Sequence, residues 1–154
     1  MKLTFALVPL FCLSTAMAQD GFVYWPAAKL KGFPAALKAK AASGKQGAVA
    51  SEQLDNHGNF TSMVARRTEN GEPEVHAHWN DIFVAQEGEA TLIHGGKVEG
   101  GHETTPGEVR GGKIVGGKTQ KLAAGDMVII PAGMPHQTNP SGSFTYMVIK
   151  VEKK

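Results

Sequence analysis

The chain has 154 residues, with 16 Lys and Arg against 14 Asp and Glu, a formal net charge of +2 and one cysteine. That near balance, with no long basic run, argues against a nucleic-acid partner, and a lone cysteine excludes an internal disulfide framework. The length suits one domain that can bury a core of its own.

Residues 1 to 18 read as a secretory signal peptide. Met1-Lys2 gives a positive start, Leu3 to Thr15 an apolar run, and Ala16-Met17-Ala18 the small residues of a cleavage site before Gln19. The run is shorter than the ~20 residues of a spanning helix, so no stable membrane insertion is expected after cleavage. Phe11 before Cys12 argues against a lipid anchor. What remains has 136 residues and no cysteine, and Lys2 is the only charge lost, which leaves +1. The expected location is secreted or periplasmic.

Residues 19 to 45 form an N-terminal helical segment. Leu30, Phe33, Leu37 and Ala41 recur at helical spacing, which predicts a short amphipathic helix near Pro34 to Ser43 whose lysines face water. From residue 46 to the end the pattern is all-β: short runs rich in Val, Ile, Phe and Thr, broken by Gly, Asn and Pro. Strands are predicted near 47–54, 60–67, 74–79, 81–86, 89–94, 119–122, 127–130 and 143–151. Residues 95 to 118 carry repeated Gly-Gly pairs and few apolar groups. They are too polar and flexible for a core strand pair and read as a long surface excursion or a mobile flap over an opening. No Gly-Lys-Ser/Thr follows these glycines, so they do not form a phosphate loop.

The chemistry-bearing residues are histidines. His76 and His78 are two apart, and on a continuous strand both would face the same side. A third, His136, follows the turn Pro131-Ala-Gly133, in which Gly133 can take a positive φ. Three imidazoles with Asp81 would suit a divalent transition metal (Mn, Fe, Zn, Ni or Cu), with coordination positions left open for water or substrate. His57 and His102 lie in turn-like sequence and are expected in solvent. His94 is placed at the surface, with the mouth of the barrel as the alternative. Of Arg66 and Arg67, one should point inward, where pairing with a carboxylate is the common fate.

These two segments resemble the paired signature of the cupin superfamily. The second motif matches from Gly125 through Pro131, Gly133 and His136, with Asn139 one position early. The first matches at His76 and His78, and Asp81 stands where the family has its glutamate, six residues before Gly88. The resemblance covers about residues 71 to 140. It implies a single jelly-roll-like β-barrel over 46–154 and one metal held by His76, His78, His136 and Asp81, the last either as a ligand or as a hydrogen-bond partner that orients an imidazole. It also implies barrels that pair through their sheets, hence a homodimer. The expected function is binding or transforming a small oxygen-rich molecule such as a carboxylate, enediol or sugar derivative. Oxygenase, decarboxylase and isomerase chemistry all fit, as does a non-catalytic binding or structural module.

Overall fold

A computed structural model describes residues 21–42 and 49–154, so the leader expected over 1 to 18 lies outside the described residues. Helix α1 spans Ala27–Ala42. It starts where the Pro26 carbonyl accepts the amides of Lys29 and Leu30, seven residues before the expected start, and it carries Pro34 inside. Proline there removes the N–H that would bond the Leu30 carbonyl. Packing compensates: Phe33 and Leu37 are buried with Ala50 and Val64, flanked by Leu30, Ala41 and Trp25. The apolar stripe read from the sequence is the face that docks.

The strands are β1 (Val49–Asn56), β2 (Phe60–Arg67), β3 (Glu74–His76), β4 (Trp79–His94), β5 (Lys97–Glu99), β6 (His102–Thr105), β7 (Glu108–Arg110), β8 (Lys113–Val115), β9 (Lys118–Ala123), β10 (Met127–Ile130) and β11 (His136–Glu152). The fold is built on the antiparallel pairing of the two long strands, from His136 opposite His94 to Glu152 opposite Trp79. One half of this pair carries β10 on one side and β2 then β1 on the other. The other half carries β9 on one side and β3, β7 and β6 on the other. The two halves fold toward each other and enclose Phe83, Ala85, Leu92, Leu122, Ile130, Phe144, Tyr146 and Val148. This is the all-β jelly-roll arrangement expected, although the sheet does not close on itself.

The two predicted strands at 81–86 and 89–94 are one strand, because the bend between them does not break the pairing. Gly88 has φ +80°, and a Cβ on it would fall on the Ser143 carbonyl oxygen. The partner strand bends at the same level, with a register shift between Pro140 and Phe144.

The glycine-rich segment is a surface excursion as expected, but it takes the form of a paired β-ribbon, which the sequence did not predict. Lys97–Glu99 pairs with Lys113–Val115, and His102–Thr105 with Glu108–Arg110. Facing glycine pairs, 95–96 against 116–117 and 100–101 against 111–112, interrupt it twice. At Gly96 and Gly112 φ is positive and a Cβ would strike the opposite backbone, so these glycines let the two strands cross closely where the ribbon kinks. The composition that looked like a loop is what a kinked ribbon requires.

Candidate metal centre

The ribbon folds back so that its tip strand β7 pairs with β3, placing Glu108 opposite His76 and Arg110 opposite Glu74. His136 opens β11 beside the same strand, also opposite Glu74. It follows the Pro131–Gly133 turn, where Gly133 has φ +83°. The Gly133 amide donates to the His76 carbonyl at 2.8 Å and the Met134 amide to the Pro131 carbonyl at 3.1 Å. The turn therefore fixes one histidine strand to the other.

Glu74, His76 and His136 bring one carboxylate oxygen and two ring nitrogens together, all within 4.8 Å of one another. His76 and His136 are 3% and 1% exposed, and their rings are 5.3 Å apart. Each Nδ1 is occupied from behind. His76 Nδ1 lies 2.5 Å from Glu108 Oε2, and His136 Nδ1 lies 3.1 Å from the Met134 carbonyl oxygen. With Nδ1–H donating in both, each Nε2 faces inward: His136 Nε2 has no hydrogen-bond partner and is free to present a lone pair, whereas His76 Nε2 lies 3.5 Å from Glu74 and 3.4 Å from Asp81 and carries a proton that a cation would displace. Two inward ring nitrogens beside a carboxylate form a donor set suited to a divalent cation once His76 gives up its proton.

The sequence-expected ligands divide. His76 and His136 lie in this cluster. Asp81, on β4, is 2% exposed, and its Oδ2 lies 3.4 Å from His76 Nε2 and 3.7 Å from His136 Nε2. Both of its oxygens also accept from Lys150 Nζ, at 2.8 and 3.0 Å, so any cation competes with an ammonium for this carboxylate. His78 is exposed and stands outside the cluster. The chain bends at Ala77-His78, between β3 and β4, and the bend breaks the alternation that would have put His78 beside His76. The same alternation holds toward the N-terminus, and it aligns Glu74 with His76.

Charges alternate around the cluster. Arg110 pairs with Glu74 and Glu108. Arg67 Nη2 lies 3.5 Å from Glu74, and its Nε donates to the Tyr146 hydroxyl at 2.8 Å. Arg67 is thus the member of its pair that faces the cluster; Arg66, on the opposite face of β2, is buried as well, at 9% exposure, so neither arginine points freely outward as expected. Burial alone would lower the His76 pKa, but its bonds with Asp81 and Glu74 outweigh that and raise it to about 9. Burial would likewise push Glu74 up, yet the His76 bond and the neighbouring His136 and Arg110 hold it at about 2. Burial lowers the His136 pKa and favours its neutral form. The field that favours a proton on His76 also favours a metal cation.

Of the other histidines, His57 is exposed and pairs with Asp55 at 2.7 Å. His102 is exposed, and half-buried His94 lines a cavity of about 110 Å³ with Leu92, Ile130 and Met134. Glu74, Glu108 and Lys150 were not singled out from sequence. Glu74 was open to discovery through its two-residue spacing from His76. Nothing local marks the other two.

No protein-family model and no curated protein sequence matches the chain. Solved structures do resemble it. The Cnp3 cupin domain of Schizosaccharomyces pombe superposes with a TM-score of 0.53 at 11% identity, covering 70% of this chain and 67% of that one. KdgF from Halomonas sp. gives 0.50 at 11% identity over 71% and 85%. A cupin superfamily protein from Desulfitobacterium hafniense gives 0.50 at 14% identity over 71% and 82%. At such identities the likeness is one of fold.

Proposed function

Because this chain has the cupin fold, we propose that it holds one divalent transition metal through Glu74, His76 and His136 and uses the remaining coordination positions to bind a small oxygen-rich molecule. Carboxylates, enediols and sugar derivatives all present the paired oxygens such positions accept. The observation that carries this reading is the pair of buried Nε2 atoms converging on the Glu74 carboxylate, each imidazole oriented through its Nδ1. When bound, the metal would supply Lewis-acid polarisation of the ligand's oxygens. The chain's own contribution is to fix both imidazole tautomers, exclude water and compensate charge through Lys150, Arg67 and Arg110. Export, as the first 18 residues suggest, and a homodimer belong to the same proposal.

The direct test is metal content per chain by mass spectrometry, on protein purified without affinity tag or chelator. About one equivalent of a transition metal is the expected result. No metal after reconstitution with Mn, Fe, Ni, Cu and Zn in turn would sink the proposal.

A second reading, a non-catalytic module that retains its metal, has its own support: His76, Asp81 and His136 are each at most 3% exposed. Exchangeable water on the loaded metal would favour the enzyme; its absence would favour the module.

Lys150 offers a further check. Lys150→Met leaves the buried Asp81 carboxylate facing His76 but without its ammonium partner, which should cost the metal-free protein about 3 kcal/mol. A divalent ion can then take Asp81 as well, so the metal-induced rise in melting temperature should be larger in the variant than in the wild type. Equal rises would mean that Asp81 and the metal do not communicate.

A further inference from the structure

The cluster is bordered by the tip of a ribbon whose stem, β5 and β8, forms a separate two-stranded sheet. The tip strand β7 runs beside β3 in the sheet, paired at three positions, and on its other edge it pairs with β6, whose residues are all exposed. At the turn, Gly107 accepts a hydrogen bond from the Ala77 amide at 2.7 Å, and the Gly111 amide donates to the Pro73 carbonyl at 3.0 Å. Gly107 sits so close over Ala77 and His78 that a Cβ there would lie 2.8 Å from the His78 ring. Behind the tip stand the two levels of facing glycine pairs, where backbone rotation is least restricted. His76 and His136, at 3% and 1% exposure, are closed to solvent with the tip docked.

From this placement we infer that the ribbon tip is a gate over the metal centre and that Glu108 and Arg110, which it carries, are positioning residues that complete the centre only when the gate is shut. The inference rests on the metal reading above. With the tip docked, Glu108 holds the Nδ1–H of His76, so Nε2 faces inward as a donor, and Arg110 holds the Glu74 carboxylate beside it. With the tip lifted, both constraints go at once and the centre opens. Occupancy of the centre and docking of the tip therefore stabilise each other, and each must bias the other to the same extent. The glycine pairs allow the rotation, and the two charged side chains report it to the ligands. A carboxylate behind a metal-binding histidine is a common orienting device; here it arrives on an element that can leave.

The test combines amide hydrogen exchange with Co(II) titration, Co(II) serving as the metal probe because its visible absorption reports its ligand set. In the metal-free protein, the Ala77 and Gly111 amides should exchange about a hundredfold faster than amides between β2 and β11, through local opening, and Co(II) should slow them. Glu108→Gln, which keeps size but removes charge, should weaken Co(II) binding about 10- to 100-fold and alter its spectrum, under conditions where the metal-free variant is fully folded. A variant that unfolds more easily yet binds Co(II) as the wild type does would make Glu108 merely structural and overturn its positioning role. Tip amides that exchange only on global unfolding would overturn the gate. One Co(II) bound by the wild type with no slowing of tip exchange would leave the metal reading standing and overturn the coupling. No Co(II) bound at all would remove the metal reading and the positioning role with it, and metal-free exchange would still decide the gate.

Discussion

Alanine at His76 or at His136 will strip the metal from the purified protein, whereas alanine at His78 will leave the metal content unchanged. A four-ligand structural zinc site is worth about 10–16 kcal/mol, so one ligand carries roughly 3 kcal/mol, or about a hundredfold in affinity. His76 and His136 direct buried Nε2 atoms at Glu74, and His78 stands exposed beyond the bend. Metal stoichiometry after dialysis against a weak chelator separates the two classes. If His78→Ala loses metal as His76→Ala does, the chain bend at Ala77-His78 is not the conformation that binds. Thermal unfolding of the metal-free variants guards against misreading a folding defect as a lost ligand.

The second large effect concerns the bend shared by the two long strands. Gly88→Ala should destabilise the protein by about 4 kcal/mol, combining a left-handed backbone with overpacking against the Ser143 carbonyl. Gly142→Ala is the control. It also has a positive φ, +85°, but no heavy atom lies within 4 Å of the added Cβ, so only the backbone cost of about 1 kcal/mol is expected. Chemical denaturation reads both. Equal losses would show that the strands do not approach at Gly88 as described, and with them would go the reason the two halves of the sheet face each other. The site depends on this bend: Asp81 and His136 come from opposite halves of the long-strand pair.

Much of the fold was legible because its signals are local. Alternating and β-branched runs placed most strands within a few residues. The stripe of Leu30, Phe33, Leu37 and Ala41 gave the docking face of the helix, although Pro34 suggested too late a start. Helix packing outweighed one missing hydrogen bond, which no propensity argument weighs. The ribbon was missed because glycine-rich composition describes both a loose loop and two strands crossing closely. Only the facing positions of the glycine pairs tell these apart, and facing is a matter of register.

The sequence by itself determined the strand-rich architecture, the turn that delivers His136 and the inward His76, since each follows from spacing along a few residues. Tertiary structure decided which groups meet them. Glu108 reaches His76 across 32 residues, Arg110 reaches Glu74 across 36, and Lys150 reaches Asp81 across 69. Each of these meetings depends on strand register, which is set by packing over the whole sheet. A two-residue spacing told where His78 would point only if the strand continued, and the fold ends that strand at His76.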